Sequence, residues 1–145
     1  MTNSMSLDTP IDLSDPNSPI VMVDDEELDF VSANRFYKRS GLVNPFVRFE
    51  DGIAFLEYLE TVKRGENLLP VLVLMDINMP RMNGFEAVKN MREDDYFSDV
   101  PVVAMLTSST DTKDKQRAFE TGVSGYLVKP FNPREYATFF ESLAA

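Results

Sequence analysis

The most constraining feature of this sequence is a fivefold alternation of short apolar runs with amphipathic segments, which starts at Pro19. Nearly continuous runs of Val, Ile, Leu and Met are typical of parallel strands that are covered on both faces. Strand–helix units that repeat with short links predict right-handed crossovers and a parallel sheet. The predicted strands are Ile20–Val23, Phe46–Phe49, Val71–Met75, Val102–Leu106 and Gly125–Val128. The second run contains Arg48 among apolar residues, so we expect it at an edge of the sheet.

Apolar residues at helical spacing fill the segments between these runs. The last helix has the clearest start, with Asn132 as N-cap, Pro133 at the first helical position and Glu135 at the third. The other predicted helices are Glu26–Ser40, Asp51–Arg64, Gly84–Arg92 and Asp111–Thr121.

The N-terminal segment differs from the rest of the chain. Residues 1–19 contain four Ser, three Asp and three Pro, with few apolar residues and no periodicity. Such a composition buries too little surface to fold. We therefore expect residues 1–18 to be a flexible extension and residues 19–145 to be one domain, which fits a chain of 145 residues.

Charge and missing residue types exclude several functions. A formal net charge of −10 argues against a nucleic-acid-binding surface, which needs clustered Lys and Arg. No apolar run is long enough to span a membrane, and no leader pattern is present. The chain has no Cys and no His, which excludes disulfides, His-ligated metals and a Ser-His-Asp triad, and a cytoplasmic location is expected.

Polar residues follow the predicted strands at the point where each strand ends. The carboxyl ends of parallel strands lie at one edge of the sheet, which is where such folds bind ligands. Crowded carboxylates there would recruit a hard cation such as Mg²⁺, and a further carboxylate could attack phosphorus to form an acyl phosphate. A lysine and a hydroxyl would stabilise the phosphoryl oxygens. The residues in question are Asp24, Asp25, Glu26, Asp76, Thr107, Ser108 and Lys129.

Four motifs at these strand ends resemble the receiver domains of bacterial two-component response regulators, over roughly residues 19–145. They are Val21–Glu26, Leu74–Pro80 followed by Gly84, Met105–Ser109 and Gly125–Pro130. The resemblance implies a single doubly wound (βα)5 flavodoxin-like domain with a five-stranded parallel sheet of order 2-1-3-4-5.

The resemblance also implies a role for each matching position. Asp76 is the expected phosphoacceptor, and Mg²⁺ is expected to bind Asp24, Asp25, Asp76 and the backbone carbonyl of Asn78. Lys129 is expected to pair with the phosphate, before a cis peptide to Pro130.

The same resemblance implies residues that sense the phosphate or tune its lifetime. Thr107, with Ser108 beside it, is the expected switch hydroxyl. Tyr126 is the expected switch aromatic because of its place in this motif, although a strand tyrosine without the motif is more often a half-buried core residue. Asn78 and Ser109 are expected to tune dephosphorylation.

The function implied is that of a single-domain response regulator with no attached output domain, which is not a turnover enzyme. A sensor or hybrid histidine kinase would phosphorylate it, and it would signal by docking on an unknown downstream protein or by passing the phosphate onward. Homodimerisation through the fourth and fifth helices is also possible, and neither nucleic acid nor membrane is expected as a partner.

Other interpretations stay open at this stage. Asp24, Asp25 and Glu26 could cap the first helix, and Thr107 and Ser108 the fourth. An aspartyl-phosphate hydrolase of the haloacid-dehalogenase type also uses a strand-end Asp and Mg²⁺, but it needs a second Asp where this chain has Asn78. A degenerate receiver that binds partners without phosphate is a third class.

Overall fold

A computed structural model describes residues 5–7, 11–79, 82–106, 112–130 and 132–144. Within these residues the strands are β1 Met5–Leu7, β2 Ile20–Val23, β3 Phe46–Phe49, β4 Leu72–Asp76, β5 Val102–Leu106 and β6 Gly125–Val128. The helices are α1 Glu27–Arg39, α2 Gly52–Lys63, α3 Gly84–Arg92, α4 Thr112–Thr121 and α5 Glu135–Ala144, with a short 3₁₀ turn at Asp95–Phe97.

The strands form one sheet in the order β1-β6-β5-β4-β2-β3. Strands β2 to β6 are parallel to their neighbours among themselves, and counted from β2 they follow the order 2-1-3-4-5. The predicted α/β fold and its strand order are therefore confirmed. Strand β3, which contains Arg48, lies at the sheet edge as expected.

The sixth strand, β1, was not predicted. It pairs antiparallel with β6, with Met5 opposite Leu127 and Leu7 opposite Gly125. Further along the same extension, the Asn44 side chain donates hydrogen bonds to the backbone carbonyls of Asp15 and Ser18. A strand of three residues is too short to give a periodic signal, but it pairs with the outer edge of β6 that would otherwise be open. The flexibility of the extension over residues 1–18 stays a prediction.

Helices cover both faces of the sheet and produce two apolar layers. Helices α1 and α5 pack on one face over Ile20, Met22 and Leu74, while α2, α3 and α4 lie on the other over Val21, Val23 and Met75. Neighbouring residues of β2 and β4 thus point to opposite layers, as strand geometry requires. This explains why these strands are apolar at every position before the Asp76 that ends β4.

Most helix boundaries agree with the predicted ones to within one residue, and the start of α5 does not. The α-helix begins at Glu135, after a turn in which the amide of Glu135 donates to the carbonyl of Asn132. The Asn132 side chain accepts from the amide of Arg134, as in an Asx turn that precedes the α-helix. The α-helix therefore starts two residues later than the predicted first helical residue, Pro133. None of the helices in the described part of the chain is long and apolar enough to cross a membrane.

Candidate functional site

Three strand ends bring the predicted site residues together at the carboxyl edge of the sheet. Asp24 follows β2, Asp76 closes β4, and Lys129 follows β6. One carboxylate oxygen each of Asp24, Asp25 and Asp76 lie within 4.8 Å of one another. The Lys129 Nζ lies 3.1 Å from Asp76 Oδ2 and 3.2 Å from Asp24 Oδ2. The structure thus places an acidic group and a cation in one crevice.

Asp76 is held almost completely out of solvent, at 1 % exposure. Its Oδ1 accepts a hydrogen bond from the amide of Asn78, and its Oδ2 accepts one from Lys129 Nζ. The start of α3 is joined to the residue that follows Asp76, because the amide of Gly84 donates a hydrogen bond to the carbonyl of Ile77 at 3.2 Å. Asp76 is therefore fixed by its own strand, the following loop and a lysine from another strand.

The acidic pair is held by its loop and by the edge strand. Asp24 is buried, and its Oδ1 accepts from the amide of Glu26, whereas Asp25 is exposed. Arg48 on β3 donates to the backbone carbonyls of Asp24 at 2.9 Å and Asp25 at 3.1 Å. Glu26 occupies the N-cap position of α1 but makes no side-chain capping hydrogen bond. Capping by Glu26 therefore does not explain the acidic run.

Burial and mutual repulsion disturb the ionisation of these groups. Burial is the main cause that raises the pKa of Asp24 to about 7, and the charge of Asp76 adds to it while the amide of Glu26 and Lys129 oppose it. Burial also raises the pKa of Asp76, against the charge of Lys129. For Lys129, burial lowers the pKa, but the hydrogen bond to Asp29 and the charges of Asp76 and Asp24 outweigh it and raise the pKa. Lys129 therefore stays positively charged, and a further cation would stabilise the ionised forms of the buried carboxylates beside it.

The donor set fits a hard divalent cation. The Oδ2 atom of Asp24 is buried and accepts no hydrogen bond from the described residues, since its contact with Lys129 lacks hydrogen-bond geometry. A buried carboxylate oxygen without a donor is costly unless a cation faces it. Mg²⁺ is commonly held by one or two carboxylates while keeping several waters, and Asp25 leaves the group open to solvent. Asp24, Asp25 and Asp76 together meet these requirements.

Two residues at the site were not predicted. Asp29, in the first turn of α1, lies 2.9 Å from Lys129 Nζ. Arg48, used in the sequence analysis only as a sign of an edge strand, holds the backbone of the acidic pair. Both carried a usable signal: Asp29 is about one helical turn beyond Asp25, and Arg48 is a charge within an otherwise apolar strand.

The remaining predicted residues have mixed outcomes. Tyr126 is buried among core residues, with Lys115 Nζ 4.5 Å from its ring centroid. Asn78 is exposed beside Asp76, and the role of its carbonyl stays a prediction. No cis peptide is present among the described residues, so the cis bond expected before Pro130 is not found, which agrees with the intrinsic preference of X–Pro bonds for trans. Thr107, Ser108 and Ser109, together with the predicted helix start at Asp111, lie outside the described residues.

Comparison with known proteins identifies a family for this chain. Residues 20–140 match the family described as "Response regulator receiver domain". A probable methanogenesis regulatory protein, FilR2 of Methanothrix harundinacea, is 32 % identical over 113 residues, which covers 78 % of this chain and 72 % of that protein. The chain spans less than half the length of several other curated relatives.

Solved structures with the same fold include two response regulators. RPA3017, from red light signalling of R. palustris, superposes with a TM-score of 0.77 at 28 % identity, covering 87 % of this chain and 90 % of that one. The Mn²⁺-bound form of Rcp1 superposes with a TM-score of 0.74 at 24 % identity, covering 87 % and 91 %, which establishes the shared fold. Receiver domains of this kind are signalling domains that accept a phosphoryl group on an aspartate and bind Mg²⁺ in an acidic pocket. By its match over residues 20–140, this chain belongs to the response regulator receiver family.

Proposed function

We propose that this chain is a single-domain response regulator that accepts a phosphoryl group on Asp76 from a partner histidine kinase, in a Mg²⁺-dependent reaction. The observation that carries the proposal is the position of Asp76. Its Oδ2 lies 3.1 Å from Lys129 Nζ, and one of its carboxylate oxygens lies within 4.8 Å of a carboxylate oxygen of Asp24 and of Asp25. If Asp76 only capped the turn that follows β4, it would need neither Lys129 nor the other two carboxylates beside it.

The proposed chemistry is an in-line displacement at phosphorus. A carboxylate oxygen of Asp76 forms a bond to phosphorus as the phosphorus–nitrogen bond of the donor phosphohistidine breaks, and the leaving imidazole keeps that electron pair and takes a proton. Lys129 stabilises the charge on the transferred oxygens. Asp24, Asp25 and Asp76 would hold Mg²⁺, with the Asn78 carbonyl as a further predicted ligand. Bound there, Mg²⁺ supplies charge neutralisation at the phosphoryl oxygens.

The phosphorylated chain would act through protein–protein contact or onward phosphotransfer. The Lys115 ammonium on α4 lies over the ring of Tyr126 on β6. A movement of Tyr126 would therefore alter the surface formed by α4, β6 and α5. We assign readout, and homodimerisation if it occurs, to that face, with Thr107 and Ser108 as the residues that respond to phosphate and Asn78 and Ser109 as those that tune its loss. The place of action would be the cytoplasm, where ATP is available to charge a histidine kinase.

Sustained hydrolysis of external substrates is not part of this proposal. Such an enzyme needs a general acid near the aspartyl phosphate. Asn78 occupies that place and has an amide that cannot donate a proton as an acid would. Incubation with a panel of phosphomonoesters should give no phosphate release beyond one equivalent, and multiple turnovers would favour the hydrolase.

Beryllofluoride, an anion that mimics an acyl phosphate, tests the proposed site. We expect the wild-type chain to bind it only when Mg²⁺ is present, and Asp76→Asn not to bind it under any condition. Fluorine NMR reports the bound anion directly. Absence of binding to the wild type would leave the degenerate-receiver interpretation, and binding to Asp76→Asn would place the site elsewhere.

A further inference from the structure

The Lys129 ammonium has one partner that the phosphoryl-transfer chemistry does not account for. Its Nζ donates hydrogen bonds to Asp29 Oδ2 at 2.9 Å and to Asp76 Oδ2 at 3.1 Å, and it lies 3.2 Å from Asp24 Oδ2. The contact with Asp29 is the shortest of the three. A carboxylate from α1 thus adds a hydrogen bond to a side chain that comes from the end of β6.

Asp29 is distinct from the carboxylates that fit a cation. The described group of carboxylates with oxygens within 4.8 Å of one another contains Asp24, Asp25 and Asp76, and it does not include Asp29. Asp29 is also partly exposed, at 34 % of its side chain, whereas Asp24 and Asp76 are buried. Its carboxylate therefore contacts the lysine from a position that is partly open to solvent.

A lysine needs such a partner more than an arginine would. Its ammonium is a point charge on a flexible four-carbon stem. Ordering that stem costs free energy, because its rotamer freedom is lost. A hydrogen bond to Lys129 that persists when Asp76 changes from a carboxylate to an acyl phosphate would keep the ammonium at the site. Asp29 meets this condition, because it does not react.

We propose that Asp29 is a positioning residue, which holds the Lys129 ammonium beside Asp76 so that it is already in place for the phosphoryl oxygens. The inference rests on the proposed function of the site. It assigns to the first turn of α1 a part in phosphoryl binding beyond packing.

The sign of one binding measurement separates positioning from a simple effect of charge. Removing a negative charge near an anion site should tighten anion binding if only the charge matters. Positioning predicts the opposite: Asp29→Asn should weaken beryllofluoride binding at saturating Mg²⁺, roughly two- to fivefold, as expected for a partly exposed pair. Asp29→Glu should restore most of the affinity, because a carboxylate is again within reach of Lys129.

Matched controls make the result decisive. Glu27→Gln removes the same charge from the same first turn at an exposed position and should leave the affinity unchanged. Urea unfolding should give Asp29→Asn a midpoint close to that of the wild type. Equal or tighter binding by Asp29→Asn, or failure of Asp29→Glu to recover affinity, would overturn the inference. Absence of binding by the wild-type chain would instead overturn the proposed function.

Discussion

At the residue scale, Arg48 connects the edge strand to the acidic pair through two hydrogen bonds to the carbonyls of Asp24 and Asp25. We expect Arg48→Ala to weaken Mg²⁺ binding several-fold, since the loop that carries both carboxylates loses its support. The free energy of unfolding should fall by about 1–3 kcal/mol, because the carbonyls lose a charged donor. Calorimetric titration with Mg²⁺ checks the first effect. Arg64→Ala, an exposed arginine paired with Glu66, is the control and should change neither quantity.

Asp24 should give the metal-free protein an unusual dependence on pH. Burial raises the pKa of its carboxyl from 3.8 to about 7, so between these values the folded chain binds a proton that the unfolded chain has released. The free energy of unfolding should therefore fall as pH rises through this window and level off above it. Burial raises the pKa of Asp76 as well, which adds to the same trend.

Urea unfolding in the presence of EDTA, at about pH 5 and about pH 8, measures this dependence. Asp24→Asn has no charge to bury, so the variant should be more stable than wild type at the higher pH and should lose much of the slope. An unchanged slope in Asp24→Asn would show that other groups cause it.

At the element scale, α3 begins where β4 ends, and Gly84 makes this possible. A Cβ at that position would lie 2.7 Å from the Cα of Ile77 and closer still to the carbonyl of Asp76. Gly84→Ala should therefore lower the free energy of unfolding by about 1–3 kcal/mol, the usual cost of overpacking. The displaced strand end should also slow phosphorylation of Asp76. Lys89→Ala, at an exposed position on the same helix, should change stability by no more than about 0.5 kcal/mol.

The antiparallel strand β1 provides a second prediction at this scale. Deleting residues 1–10 removes the partner of Gly125–Leu127 and leaves β6 as an open edge. Hydrogen exchange should become faster in β6, while exchange in β4 at the centre of the sheet should stay slow. Unchanged protection of β6 in the truncated chain would mean that β1 does not pair stably with it in solution.

At the scale of the whole molecule, what could be predicted from the sequence follows from how each signal is encoded. Buried parallel strands are apolar over nearly their whole length, so β2, β4 and β5 were predictable, and the strand-end rule then located Asp24, Asp76 and Lys129. Contacts that cross between elements carry no periodic signal. Asp29 and Arg48 were therefore missed as site residues, and so was the three-residue strand β1.

The start of α5 was predicted too early for a related reason. Asn132 is a good capping residue by type, but its side chain accepts a hydrogen bond from Arg134 in a turn that precedes the helix. Sequence alone does not distinguish an Asx turn from a helix N-cap, because the Asn side chain accepts a backbone hydrogen bond in both. Local chemistry thus identified the right residue and the wrong boundary.

The central claim is that Asp76 accepts a phosphoryl group. Its most direct measurement is the intact mass of the protein after incubation with Mg²⁺ and acetyl phosphate, a small acyl-phosphate donor, followed by location of the modified residue in peptides. We expect the mass of one phosphoryl group on Asp76, which should not form when Mg²⁺ is chelated before the donor is added and should be absent from Asp76→Asn. A phosphoryl group that persists in Asp76→Asn, or a wild-type chain that stays unmodified with Mg²⁺ and donor in excess, would contradict the account.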